Sequence, residues 1–260
     1  MIFLIGGNGL IGSGFSKFFK ENKILYKNIT RDNKKKFYNN SCDILIDCNG
    51  NGSKRLGIAD PLFDFNASVS SVVENLINIK FKKYVYISTS QTYENTKHIR
   101  VTNENKVCDN LKLNNYGFNK LIAETYVRRY SSKYLIIRLP YIVGPGLKRN
   151  PVYDIFHHKK TYVTLNSNIN FIHSSSVAKI TYQLIKKNKF NQIYNLGARD
   201  NINVGEILSL CGLKKSQLYK TEKNHDIMMF NCNKISKLVK LPTSVNEVEK
   251  YLSEIKKKND

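Results

Sequence analysis

The sequence predicts an α/β fold, a doubly wound parallel sheet with a small C-terminal lobe. Three observations predict it. Short, continuously apolar segments alternate with segments whose apolar residues recur at helical spacing. The apolar segments are too uniformly hydrophobic for a sheet with one wet face, which is how strands buried on both faces read. A glycine-rich turn, "GGNGLIG", joins the first strand directly to the first helix.

Each element follows in order. Met1 to Ile5 is the first buried strand. From Ser13 to Asn22, Phe15, Phe18 and Phe19 mark one face of a helix. Lys23 to Ile29 is the second strand and Asp43 to Cys48 the third. Phe65 to Ile79 reads as a helix, Lys82 to Thr89 as the next strand and Asn119 to Tyr130 as helical. Tyr134 to Pro140 is a strand ended by its proline. Ile193 to Gly197 is a late short strand. After Pro140 the pattern becomes irregular, and "GPGLKRNP" reads as a loop. The expected division is a dinucleotide-binding unit over 1–145, completed by about 174–200, and a smaller substrate lobe from 146–173 and 201–260.

Composition narrows the function classes. No apolar run reaches the ~18 residues of a membrane-spanning helix. Met1 leads straight into a strand without a basic n-region, so no secretory signal is expected. Cys42, Cys48, Cys108, Cys211 and Cys232 are scattered, odd in number and without metal-like spacing. Free thiols, no metal and a cytoplasmic location are expected. The formal net charge is +22, but the excess lysine is spread along the chain. Diffuse charge attracts anionic ligands in general and does not by itself outline a nucleic-acid surface.

The glycine turn carries the first functional signal. Gly6, Gly7, Gly9 and Gly12 lie between strand and helix, the context in which glycines admit a tight turn, a pyrophosphate and close helix–strand packing. Gly6, Gly9, Leu10, Ile11 and Gly12 are the candidate cofactor-binding residues of a Rossmann-like unit. At the end of the second strand an acidic residue would accept the ribose hydroxyls, and a basic one would accommodate a 2′-phosphate. That place falls on Thr30 and Arg31, with Asp32 further along. Arg31 offers a bidentate phosphate partner, so NADP(H) is preferred and NAD(H) is the alternative.

Taken together, the segments resemble the extended short-chain dehydrogenase/reductase family of nucleotide-sugar epimerases, dehydratases and reductases. The match runs in order over about the first 200 residues: "GGNGLIG", "DPLFDFNASVSSVVENLI" with its central Asn66, "YVYISTSQTYEN", "YGFNKLIAE", "IIRLPYIVGPG", "NFIHSSSVAKI" and "IYNLGA". The resemblance implies Tyr116 as acid/base and Lys120 as the residue that holds the nicotinamide ribose. It implies Thr89 as the hydroxyl that polarises the substrate oxygen, with Ser90 the fallback. Tyr116 and Lys120 are four apart and so share one helix face. A nearby ammonium is expected to lower the phenol from ~10 toward neutral.

Departures from the family pattern narrow the reaction. Dehydratases carry an Asp-Glu pair after the catalytic threonine, whereas Ser90 and Gln91 stand here, which argues against elimination of water. Ile169 and Asn170 replace the usual Arg-Asp, and Ser175 and Ser176 replace a later acidic pair. Lys148 and Arg149 follow the "GPG" loop and are candidates to meet a substrate diphosphate; Ser90 is a third substrate-binding candidate. His173 reads as structural. The expected activity is reduction of a nucleotide-linked keto-sugar by hydride transfer. The alternatives are a nucleotide-sugar epimerase with tightly bound NAD and a non-catalytic cofactor- or RNA-binding relative. The resemblance also implies a homodimer.

Overall fold

The computed structural model describes residues 1–106, 108–213 and 226–259. Strands β1 (Ile2–Ile5), β2 (Tyr26–Ile29), β3 (Ser41–Asp47), β4 (Lys80–Thr89), β5 (Tyr134–Leu139) and β9 (Gln192–Asn195) form one sheet in the order β2-β1-β3-β4-β5-β9. Every pairing in it is parallel. Helix α1 (Leu10–Glu21) connects β1 to β2 and packs on α7 (Ser174–Lys186). The opposite face carries α2 (Lys54–Ala59), α3 (Pro61–Phe65), α4 (Ser71–Asn78) and α5 (Asn115–Tyr130). Apolar side chains of the sheet are buried on both faces: Leu4, Val85 and Ile137 on one, Phe3, Leu45 and Ile136 on the other. This is why the strands lack alternation.

The predicted helix over 65–79 is present as one helical run that starts earlier, at Pro61, and ends at Asn78. A single π turn, Asn66–Ser70, separates α3 from α4. Asn66 itself is exposed, and the inward polar residues of the run are Asp64, Ser68 and Asn75. The second strand begins at Tyr26, because Lys23 takes a left-handed φ of 53° in the turn that ends α1.

A second core lies among β6 (Tyr141–Val143), α6 (Pro151–Phe156), β7 (Asn168–Ile169), β8 (Phe171–His173), β10 (Ile202–Asn203), α8 (Val204–Leu210) and α10 (Ser244–Asn259). The remaining helix, α9 (Asn233–Ser236), packs on β9. Buried Asn170 takes over the fastening expected of an Arg-Asp pair. Its amide donates to the carbonyls of Ala198 (2.9 Å) and Asp200 (2.8 Å), and its oxygen accepts from the Ala198 N–H at 2.9 Å. The acidic pair missing at Ser175 and Ser176 is supplied from α10. Ser176 donates to Glu247 (3.0 Å), as does the His173 N–H (2.6 Å), and the His173 ring meets Glu254 at 3.0 Å. His173 is 1% exposed and its ring is held toward the neutral form, its pKa pulled down to about 4 by burial against the opposing pull of Glu254. It is a fastening between α7 and α10.

Candidate active site

Strands β1 and β3 are neighbours, but the chain leaves them toward opposite edges of the sheet. Their carboxyl ends therefore open a crevice at the switch point, where ligands of such sheets bind. The glycine turn forms one lip. Gly6 takes φ +75°, a conformation that favours glycine, while its N–H donates to the Ile29 carbonyl at 3.0 Å. A Cβ on Gly12 would lie 2.7 Å from the Gly6 carbonyl carbon, so the helix can sit this close to the strand only without a side chain there. Asn28 of β2 props the turn from below: its oxygen accepts from the Gly7 N–H (3.2 Å) and its amide donates to Asn8 (2.9 Å). Helix α1 begins at Gly9 with no side-chain cap and no acidic residue in its first turn. Its leading N–H groups and positive dipole end are thus left for an anion, which is what a dinucleotide pyrophosphate requires. Leu10 and Ile11 are half-buried in that first turn. Thr30 follows β2, half-buried, with its N–H donated to Asn33 at 2.8 Å. Arg31 beside it is exposed and has no ion-pair partner among the described residues.

The other lip carries the polar cluster. Asn114 caps α5 by accepting the Gly117 N–H at 3.1 Å, which places Tyr116 in the first helical turn. A side chain on Gly117 would strike the Gln91 backbone, its Cβ 2.8 Å from the carbonyl carbon. That close approach seats Tyr116 against the end of β4, which closes at Thr89. Thr89 and Tyr116 are 8% exposed and Lys120 is 5% exposed. The Lys120 ammonium donates to the Ile87 carbonyl at 3.3 Å and lies 5.0 Å from the centre of the Tyr86 ring. It also abuts the turn after β3, where a Cβ on Gly50 would sit 2.9 Å from Nζ. Thr89, Tyr116 and Lys120 are brought together at the carboxyl edge of the sheet.

The electrostatics differ from the sequence expectation. Tyr116 is not lowered toward neutrality; its pKa is pushed up to about 12. Burial is the main cause, the Thr89 hydroxyl opposes it and the charge of Asp64 reinforces it. Lys120 is lowered from its ordinary value by burial, with Asp47, Asp64, Glu124 and Cys48 pulling the other way. The i, i+4 spacing predicted a shared face but not the carboxylates around it. Asp47 and Asp64 both escaped the sequence reading, since an aspartate at a strand end or in a short amphipathic helix gives no signal of burial.

The remaining candidates lie apart from this cluster or behind it. Ser90 is buried in the 3₁₀ turn Ser90–Thr92. Lys148 and Arg149 are exposed on the loop before α6, with the Arg149 guanidinium 5.5 Å from the centre of the Tyr162 ring.

Comparison with known proteins extends this picture. The model of the NAD dependent epimerase/dehydratase family matches residues 2–197. Among solved structures, the chain is similar to a dTDP-4-dehydrorhamnose reductase from Clostridium acetobutylicum (TM-score 0.81, 15% identity, 98% of this chain and 99% of that one). It is similar to a dTDP-4-dehydrorhamnose reductase from Bacillus anthracis in complex with NADP (TM-score 0.79, 13% identity, 97% of each chain). It is also similar to a UDP-glucuronic acid 4-epimerase from Bacillus cereus in complex with a fluorinated UDP-sugar and NAD (TM-score 0.79, 16% identity, 98% and 99%). No curated protein matches the sequence. At such identities the solved structures speak for the fold, and the family match, which spans most of the chain, speaks for kinship: the chain belongs to the NAD dependent epimerase/dehydratase family.

Proposed function

We propose that the chain reduces a keto-sugar carried on a nucleotide, using a nicotinamide dinucleotide as reductant. The observation that carries this reading is the burial of Thr89, Tyr116 and Lys120 together, where the end of β4 meets the first turns of α5 at the carboxyl edge of the sheet. Thr89 orients the substrate oxygen, Tyr116 exchanges a proton with it, and Lys120 holds the ribose and keeps positive charge near the reacting centre. The glycine turn and the first turn of α1 hold the pyrophosphate. When bound, the dinucleotide supplies hydride chemistry that no side chain can. Ser90 and Gln91 lack the acid and base that elimination of water needs. Lys148 and Arg149 are proposed to meet the substrate diphosphate, being cationic and exposed on the loop before α6.

NADPH is the proposed reductant. Thr30 leaves room, and exposed Arg31 supplies a planar donor for a 2′-phosphate. Arg31→Ala should raise KM for NADPH about tenfold or more and leave KM for NADH nearly unchanged. The activity test incubates the protein with NADPH and a panel of nucleotide-linked 4-keto-6-deoxy sugars while the absorbance of the reduced cofactor is followed. Consumption of NADPH with one sugar is the expected result. Interconversion of two nucleotide sugars without added cofactor would replace the reductase with an epimerase.

A homodimer is proposed through the face formed by α3 and α5. Phe118, Tyr126 and Tyr130 make an exposed stripe along α5, the last two stacked at 6.0 Å, and Leu62, Phe63 and Phe65 are exposed on α3. Sedimentation of Tyr126→Glu against the unaltered chain would test it. The five cysteines are all free thiols, which fits the proposed cytoplasmic location. Among the described residues no helix is long and apolar enough to cross a membrane.

A further inference from the structure

Tyr86 stands in the middle of the sheet, in β4, in register with Asp47 of β3 and Ile136 of β5. Its side chain is fully buried on the face covered by α5, in one core with Ala123 and Val127 of that helix. Tyr84, two residues before it on the same face, donates its hydroxyl to Asp47 at 2.6 Å. The Tyr86 hydroxyl has no partner among the described residues. A stranded buried hydroxyl costs stability, so what this side chain contributes comes from its ring. The Lys120 ammonium lies 5.0 Å from the centre of that ring.

Lys120 has little else to hold it. Its one hydrogen bond among the described residues runs to the Ile87 carbonyl at 3.3 Å. Glu124, one turn along α5, is gripped by Arg138 at 3.0 and 2.7 Å. Asp47, beside Tyr86 in the sheet, accepts from Tyr84 and from Asn75 (2.7 Å). The turn after β3 closes on the ammonium only because residue 50 is glycine, since a Cβ there would lie 2.9 Å from Nζ. The attraction between a cation and a ring face grows as water is excluded. The other lysines that lie over rings, Lys27, Lys83, Lys159 and Lys234, are exposed or half-buried, whereas Lys120 is 5% exposed.

We propose that Tyr86 is a positioning residue: the face of its ring holds the Lys120 ammonium at the carboxyl edge of the sheet, with an N–H left to reach the nicotinamide ribose, and so sets the affinity for the dinucleotide. This rests on the reading of Lys120 as the residue that holds that ribose. An ammonium has three donors. One goes to the Ile87 carbonyl and the ring face takes a second, which leaves the third for a ligand. A strand paired on both sides is a fixed platform, and a long flexible side chain laid on it is held where a loop could not hold it.

The test is a double-mutant cycle read by dinucleotide affinity, with nicotinamide fluorescence as the signal. Tyr86→Leu should weaken NADPH binding about ten- to thirtyfold, the loss expected of a desolvated cation–ring contact. In a Lys120→Met background the same change should weaken it by less than about twofold, because the partner is already gone. Tyr86→Phe keeps the ring and should bind as the unaltered protein does. An equal loss in both backgrounds would make Tyr86 a packing residue and overturn the proposal. So would a Tyr86→Phe variant as weak as Tyr86→Leu. A second measurement does not need Tyr86→Leu to fold. In proton–carbon NMR of protein labelled at lysine Cε, with Lys120 assigned by its loss in Lys120→Met, the Lys120 methylene protons should lie upfield of those of the exposed lysines, as protons above a ring face do. Lys120 protons at the position of the exposed lysines would overturn the proposal. An unaltered protein that binds neither NADPH nor NADH removes the dinucleotide reading and, with it, the role of Tyr86, whatever the NMR shows. Normal binding with unshifted Lys120 protons sinks the Tyr86 proposal alone.

Discussion

Helix α5 carries two buried charges one turn apart and treats them in opposite ways. Among the described residues Lys120 makes one hydrogen bond, at 3.3 Å to a carbonyl, and no ion pair. Glu124 is gripped on both oxygens by Arg138, at 3.0 and 2.7 Å, and accepts from Ser88 at 2.5 Å. Both lie within a few per cent of full burial. The difference separates a site from a fastening. A buried ion gripped on both oxygens is held still and locks β4, β5 and α5 together. A buried ion with weak local partners is open to a ligand and has its proton affinity set by more distant charges.

The largest effect that would sharpen this contrast is at Tyr116. Tyr116→Phe should lower turnover by 10²–10⁴-fold while leaving dinucleotide affinity and the melting temperature nearly unchanged, as measured by NADPH consumption, nicotinamide fluorescence and thermal denaturation. A variant that stays fully active would reduce the cluster to a binding module. At Glu124 the expectation reverses. Glu124→Ala leaves Arg138 buried without its partner and should cost about 3–5 kcal/mol in urea denaturation, with activity lost only through unfolding. Gly12→Ala lies between the two. The forced retreat of α1 from the Gly6 carbonyl should cost about 1–3 kcal/mol and weaken dinucleotide binding strongly, because the phosphate-facing N–H groups move with the helix.

The smallest effect concerns pH. His173 is held neutral in the fold, its pKa below the unfolded value of ~6.5. The stability it contributes is therefore present above pH ~6.5 and is lost as pH falls toward about 4. The loss should amount to at most roughly 3 kcal/mol, and His173→Gln should flatten that part of the melting-temperature profile. An unchanged slope would mean that the α7–α10 junction does not exclude water as its burial implies.

The order of the elements, the parallel sheet and the glycine turn were legible in the sequence. Apolar runs such as "DILID" and "YVYIST" can be satisfied only between two layers of helices, and the glycines report close backbone approaches that no other residue permits. Tyr116 and Lys120 were legible because helical periodicity is a local property. Asp64 and Asp47 were not legible, nor were Glu247 and Glu254 standing in for the carboxylates absent at Ser175 and Ser176. Asp64 lies just before the segment read as a helix, 65–79, and the π turn after it departs from α-helical periodicity. Thus the chain alone determined which backbone could form and which two residues would share a helix face. Only the tertiary structure decided the charge environment of that face. A pKa depends on burial and on groups distant in sequence, and those distances do not exist until α3 and β3 close against α5.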